Sequence, residues 1–330
     1  LEFVDTVALS FNIKKDEFVL IRDFILSAEH LQDAILINGV KTRKQQDSKK
    51  ILWENFDGEI HFLHIQSTNL FIFKYSKGSE LLMNGQLLST RRVYIMHPGS
   101  SLRSKKLVPI YYSDILSTVT SKKISTPITL SADALTYHFN KKNIGLEPIS
   151  FQSHSGQLVG IMGASGAGKS TLINVLSGMA PPSSGSLTIN GVDIYKNRDK
   201  IKGLMGYVSQ DDVLIEDLTV YENLYYNAKL CFSNYSPFRL RLKVLKVLRS
   251  LGLYAIRNMR VGSPVNKKIS GGQRKRLNIG LELIREPSIL FLDEPTSGLS
   301  SHDSENIVDL LKELTIKGKL IYVVIHQPSS

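Results

Sequence analysis

Apolar positions recur at helical spacing through Leu1, Val4, Val7, Ala8 and Phe11, and again through Phe18, Ile21, Phe24, Ile25 and Ala28. This spacing predicts two short amphipathic helices over residues 1–30, with Asn12 suited to the turn between them. Two such helices cannot bury their apolar faces alone. They either pack on the next domain or end a helical domain cut away upstream, so 1–45 is read as a helical segment. Residues 41–50 hold no apolar residue and read as a linker or solvated loop. The period then changes. Glu59–Ile65 nearly alternates, and Leu70–Tyr75 is aromatic and β-branched. Asn84-Gly85 sits between two short apolar runs, a hairpin pattern. Val93–Met96 runs into a His97-Pro98-Gly99-Ser100 turn, and Leu107–Tyr112 follows. Short strands with turns every eight to twelve residues predict a small all-β sandwich over 50–117. Residues 116–127, rich in Ser, Thr and Lys, read as a linker.

From about residue 128 the pattern is α/β. Gln157–Met162 is a buried-strand run, Leu172, Val175 and Leu176 begin a helix, and Ser288–Leu292 is another apolar strand. Composition narrows the class without naming it. With 330 residues, 42% hydrophobic and 22% charged, the chain is globular, with two or three domains. The longest apolar run, Leu320–Ile325, is far below the roughly 18–20 residues of a membrane span. One cysteine, Cys231, cannot form an internal disulfide, so nothing speaks for a secreted fold. The net charge of +11 is spread over both halves and permits an anionic partner without selecting one.

The chemistry sits between strand and helix. Gly163-Ala164-Ser165-Gly166-Ala167-Gly168-Lys169-Ser170-Thr171 is a P-loop (Walker A) in strand–loop–helix context. Its glycines let backbone N–H groups approach phosphate oxygens, and the following helix directs its positive end at them. Lys169 is a point charge for the β- and γ-phosphates, and Ser170 offers a hydroxyl to Mg²⁺. Asp293-Glu294 ends the strand at 288–292. Paired carboxylates there are costly unless they serve a metal or a proton transfer, so Asp293 is expected in the Mg²⁺ shell and Glu294 beside the attacking water. Ser270-Gly271-Gly272-Gln273 opens a helix carrying Leu277, Leu281 and Ile284 on one face. It reads either as an ordinary Ser N-cap or as a second anion cradle, which one chain cannot bring to its own P-loop.

Two resemblances follow from these residues. The β-region is similar to a forkhead-associated (FHA) domain through Asn84-Gly85 and the strand rhythm. That family's phosphothreonine-binding role is not carried over, because the only Ser-x-x-His segment upstream, Ser27–His30, falls in the helical stretch. Residues 128–330 resemble the nucleotide-binding domain of ATP-binding-cassette (ABC) transporters. The markers occur in the family's order: Gly163–Thr171, Gln210 in Tyr207-Val208-Ser209-Gln210, Ser270–Gln273, Asp293-Glu294-Pro295-Thr296 and His326. Gly262-Ser263, Ser270–Arg276, Glu294–Leu299 and Ile325–Ser329 look most like the G subfamily. The resemblance implies a P-loop ATPase fold with a helical insert over about 212–280. It implies that Gln210 binds Mg²⁺ and reports to a transmembrane partner, and that His326 touches the γ-phosphate. It also implies that the Ser270–Gln273 segment binds the γ-phosphate of ATP held by a second copy. An aromatic on the strand before the P-loop should stack on adenine. Tyr137 and Phe139 are the candidates, and family spacing favours Phe139. Lys169, Gln210, Glu294 and His326 are thus the expected catalytic set, with ATP and Mg²⁺ as cofactors. Ser300 stands where the family usually has Asp, which puts in doubt coupling between two ATP sites by that route, with Asp303 as a substitute.

The expected function is ATP-driven transport, most simply export, at the cytoplasmic face of the cell (inner) membrane. A second nucleotide-binding domain and a permease that follows Ser330 would be the partners. A soluble cassette ATPase acting on ribosomes or nucleic acid is the rival. It fits less well, because one ATPase domain is found and Gln210 and Ser270 are only 60 residues apart, so no nucleic-acid partner is expected. The basic set Arg239, Arg241, Lys243, Lys246 and Arg249 interleaves with an apolar helical face. It reads first as a solvated face and second as a contact with anionic headgroups.

Overall fold

A computed structural model describes residues 15–26, 35–38, 50–66, 70–78, 80–90, 92–97, 100–104, 107–119, 128–140, 143–201, 203–263, 266 and 268–325. The chain divides into two compact units at about residue 121. The first expected helix (Leu1–Phe11), the Asn12 turn, Ser27–His30 and His326 lie outside the described residues.

The first unit holds two sheets. Strands β1 (Ile35–Asn38), β2 (Lys50–Leu52), β3 (Glu59–Ile65), β4 (Leu70–Lys77) and β7 (Val93–Met96) form one, in the order β2-β1-β3-β4-β7. Strands β5 (Leu81–Met83), β6 (Gln86–Leu87), β8 (Ser101–Ser104) and β9 (Ile110–Tyr111) form the other, in the order β6-β5-β8-β9. Alternation along β3 and β4 sends Phe62, Phe71 and Phe73 to one face, where Phe71 meets Tyr112 edge-on at 5.3 Å between ring centroids. Leu63, Ile65 and Ile72 go to the opposite face, where helix α1 (Lys15–Leu26) buries Phe24 against them. The second expected helix therefore exists and finds its apolar partner in the β-unit. The hairpin turn at Asn84-Gly85 has φ of 51° and 83°, the doubly left-handed geometry that favours Asn-Gly.

Two expectations need correction. The segment 1–45 is not helical throughout, because Ile35–Asn38 is a strand paired antiparallel with β3 and parallel with β2. The 116–127 stretch does not begin as a linker, because Tyr112–Val119 forms helix α2, which buries Ile115 and Leu116. Tertiary burial of Tyr112, Ile115 and Leu116 overrides a Ser/Thr-rich composition.

The second unit also contains two sheets. The antiparallel one runs β11-β10-β13-β14: β10 (Thr129–Asn140), β11 (Asn143–His154), β13 (Ser184–Ile189) and β14 (Val192–Asp193). The parallel one runs β12-β17-β16-β15: β12 (Leu158–Met162), β15 (Met205–Val208), β16 (Ile289–Asp293) and β17 (Leu320–Ile325). Helices α3 (Lys169–Leu176) and α4 (Arg198–Ile201) follow β12 and β14. A helical part made of α5 (Val220–Cys231), α6 (Pro237–Ser250) and α7 (Gly271–Leu283) lies between β15 and β16, and α8 (Ser301–Ile316) leads into β17. β16 and β17 are buried on both faces and read as continuous apolar runs, as central parallel strands do. One face packs on α3 and the antiparallel sheet through Ile173, Leu176, Phe291 and Tyr322. The other packs on the helical part and α8 through Leu290, Leu292, Leu277 and Leu311.

The basic stripe of α6 is partly used inside the fold. Arg239 lies 3.9 Å over the Tyr235 ring, Lys243 bonds Glu286 at 3.0 Å, and Arg249 sits over Tyr254. Three of the five basic side chains of that stripe are therefore engaged within the unit, and the plain expectation of a solvated face holds only in part.

Candidate active site

Strand register brings the chemistry to one edge. Met162 pairs with Ile325, Asp293 with Val324, and Val208 with Leu292. The P-loop, the carboxylate pair and the segment carrying Gln210 therefore all leave the sheet at the carboxyl ends of parallel strands, where ligands bind in open α/β folds. His326 directly follows Ile325 but lies outside the described residues.

The loop from Gly163 to Ala167 is exposed, and Gly168 caps helix α3 with φ of 86°. A side chain at Gly168 would lie 2.8 Å from the Gly145 carbonyl oxygen of β11, so the turn depends on a residue without a Cβ. Lys169 is only 8% exposed, and its ammonium donates to the carbonyls of Gly163 (2.9 Å) and Ala164 (2.8 Å). It thus shapes the loop from within, while Ser170 stays exposed.

Across the loop, Asp293 accepts from the Tyr207 hydroxyl at 3.4 Å. Burial, then the neighbouring Glu294 charge, raises the Asp293 carboxyl above its ordinary value. Burial and the Asp293 charge push the Tyr207 phenol up to about 12, so it remains a donor. A cation bound beside Asp293 would offset both causes of its raised value. Glu294 has a left-handed backbone, φ 44°, and its N–H donates to the Val324 carbonyl at 3.1 Å. Its Oε2 accepts from Gln210 Nε2 at 3.3 Å.

The donor set fits a nucleotide with a hard cation. Ser170, Gln210 and Asp293 offer only oxygen ligands to a metal. Among the described residues no group of three or more His, Cys, Asp or Glu could hold a metal ion. Mg²⁺ would therefore complete its shell from phosphate and water.

Ser270 and Gln273 form a reciprocal capping box on α7. Ser270 Oγ accepts from Gln273 N–H at 3.2 Å, and Gln273 Oε1 accepts from Ser270 N–H at 2.8 Å. Ser270 is exposed and among the described residues its hydroxyl proton has no acceptor, while Gly272 is buried against Asp303. A Cβ on Gly272 would fall 2.2 Å from Asp303 Oδ1. Ser300 caps α8 by accepting from Asp303 N–H at 3.1 Å, and its hydroxyl also donates to the Asp303 carboxylate. Asp303 therefore faces the Ser270 segment from within the same chain.

Phe139 is 63% exposed and meets Tyr137 edge-on at 5.3 Å, while Tyr137 packs partly into the core. Gly145 on β11 makes room for both rings: a Cβ there would lie 2.7 Å from Phe139 Cε2. Sequence reasoning missed Gly145, although a lone glycine in a strand pattern signals a close approach. It also missed Tyr207 and Lys275. Lys275 is buried, its ammonium donates to the carbonyls of Gln210 and Ser209, and desolvation lowers its pKa.

A glycine turn feeding a helix, with an internal lysine and a carboxylate pair on the adjacent strand, makes this unit a P-loop nucleotide-binding domain. Comparison with known proteins narrows the class. Residues 146–297 match the family model of the ABC transporter. The chain is 42% identical over 188 residues to the ABC-type transporter claG of Penicillium crustosum, covering 56% of this chain and 25% of that protein. It is 34% identical over 260 residues to ABC transporter G family member 25 of rice (Oryza sativa subsp. japonica), covering 78% and 26%. The solved structure of cbiO1 from Clostridium perfringens, part of the ABC transporter complex cbiONQ, superposes with a TM-score of 0.54 at 28% identity, over 60% of this chain and 78% of that one. The second unit thus has the family match and the fold of an ABC transporter ATP-binding domain. The chain spans about a quarter of the length of the two transporters named first. Among the described residues no helix is long and apolar enough to cross a membrane.

Proposed function

We propose that this domain hydrolyses ATP to drive a G-subfamily exporter. The observation that carries the reading is the convergence of Gly163–Thr171, Gln210 and Asp293-Glu294 at one edge of the parallel sheet. In this reading loop N–H groups and Lys169 bind the β- and γ-phosphates, and Phe139, backed by Tyr137, stacks on adenine. Ser170, Gln210 and Asp293 hold Mg²⁺, which when bound offsets phosphate charge. Glu294 accepts a proton from the attacking water, and Gln210 orients the Glu294 carboxylate by its amide bond. His326 would stand by the γ-phosphate. Ser270, Gly271, Gly272 and Gln273 would close over ATP held by a second copy, the exposed Ser270 hydroxyl and the free N–H groups of the α7 start serving as donors. The partners are a second nucleotide-binding domain and a transmembrane permease, and the site of action is the cytoplasmic face of a membrane. The first unit is proposed as an FHA-like docking or regulatory module, supported by its two sheets and its Asn84-Gly85 turn.

The test is a phosphate-release assay beside light scattering, with and without ATP–Mg²⁺. Glu294→Gln keeps shape and hydrogen bonding, so it should nearly abolish turnover, keep ATP affinity and accumulate dimer. Lys169→Ala should lose ATP binding and stay monomeric. A Glu294→Gln variant with wild-type turnover refutes the base assignment, and a dimer indifferent to ATP refutes the shared site.

A further inference from the structure

Helix α7 grips the segment after β15 at three places. Arg274 Nε donates to Asp212 Oδ2 at 2.9 Å. Lys275 Nζ donates to the carbonyls of Gln210 at 2.6 Å and Ser209 at 3.3 Å. Asn278 Oδ1 accepts from the Val213 N–H at 3.4 Å. Positions 274, 275 and 278 share one side of the helix. Arg274 and Asn278 fix residues beyond Gln210, whereas Lys275 binds the backbone of Gln210 itself.

Lys275 is 6% exposed. A buried ammonium is costly unless paired. Its two bonds go to neutral carbonyls, and the nearby charges of Asp212, Asp211, Asp293 and Glu294 only partly offset its burial. Such an arrangement adds little to stability over an apolar side chain of the same length. What it does supply is geometry: two consecutive carbonyls are held at one point. The Gln210 amide then reaches Glu294 Oε2 at 3.3 Å. A continuous chain of contacts thus runs from the helix that begins after Ser270, through Lys275 and Gln210, to the Glu294 carboxylate.

We propose that Lys275 is a positioning residue for hydrolysis: by anchoring the Gln210 carbonyl to α7 it sets the Gln210 amide against Glu294. The orientation of the helix capped by Ser270 then decides whether Glu294 is held for proton transfer. The inference rests on the assignment of Glu294 as the base.

The test uses the product of the whole gene, with steady-state ATP turnover and thermal unfolding measured on the same preparations. Lys275→Met keeps length and burial but removes the donor. It should leave the unfolding temperature unchanged or raised, leave KM for ATP unchanged, and lower kcat roughly ten- to a hundredfold, the scale of a small misplacement of a reacting group. In a Gln210→Ala background the same substitution should cost nothing further. Three results overturn the proposal: wild-type kcat in Lys275→Met, an equal loss in the Gln210→Ala background, or a loss of kcat matched by a fall in unfolding temperature. If Lys275→Met does not fold, Lys275→Gln gives the same comparison, and failure of both assigns Lys275 to the fold alone and refutes the proposal. Glu294→Gln separates the two readings. Full turnover in that variant removes the base assignment and this inference with it. Lost turnover there beside wild-type kcat in Lys275→Met removes this inference only.

Discussion

Gly168→Ala tests how the phosphate loop is held. Gly168 has φ of 86°, and its added Cβ would lie 2.8 Å from the Gly145 carbonyl oxygen. The left-handed conformation costs an L-residue roughly 1–2 kcal/mol. The clash is with backbone, which cannot rotate aside as a side chain can, and overpacking of this kind costs about 1–3 kcal/mol. The expected total is about 2–5 kcal/mol. Gly166 is the internal control. Its φ is 80° and an added Cβ would meet nothing within 4 Å, so Gly166→Ala should cost only the conformational part, about 1–2 kcal/mol. For a unit of this size 1 kcal/mol shifts Tm by roughly 2–4 °C. Nucleotide-free Gly168→Ala should therefore melt roughly 2–12 °C below Gly166→Ala in differential scanning calorimetry. Equal losses in the two variants would refute the claim that Gly145 and Gly168 are in contact.

Two further outcomes are expected. Arg274→Ala leaves Asp212 without its partner and removes the bond to the Gly262 carbonyl. Loss of a buried pair costs about 3–5 kcal/mol, reduced here to about 2–3 because the Asp212 side chain is 28% exposed; the urea midpoint should fall accordingly. Glu313, almost fully buried beside Lys317, has its pKa raised above 4.5, chiefly by burial and against the pull of Lys317. Between 4.5 and the raised value the native state binds more protons than the unfolded one, so the Glu313 contribution to stability falls as pH rises through that window. Glu313→Gln should flatten this part of the Tm-against-pH profile, and an unchanged slope would show that Glu313 does not set it.

The site was legible where chemistry is written consecutively. The nine residues from Gly163 to Thr171 stand between the strand signal of Gln157–Met162 and the helix signal that follows, and Asp293-Glu294 ends an apolar strand whose burial follows from its composition. Contacts that close over long separations were not legible. Lys275 and the Gln210 carbonyl are 65 residues apart, and in the sequence Lys275 is one basic residue among three. Gly145 stands in a strand with no local reason for a glycine, and its reasons, the Phe139 and Tyr137 rings, lie on another strand. In the first unit the apolar run Ile35–Ile37 of the strand Ile35–Asn38 is too short for period to decide between helix and strand. Its pairing with Glu59–Phe62 decides it. Helix α2 was hidden because three of its eight residues are Ser or Thr, while Tyr112, Ile115 and Leu116 meet the core.

The backbone of Glu294, φ 44°, has a meaning for anyone engineering this domain. A residue with a Cβ is held there in a conformation that glycine or asparagine adopts more cheaply, so, if Glu294 is the base as proposed, position 294 would serve turnover and not heat resistance. A library selected only for survival at high temperature would then drift toward glycine there and, on that assignment, enrich sturdy but inert proteins. Hardening this ATPase therefore means freezing residue 294 first and seeking added stability on surfaces remote from the sheet edge.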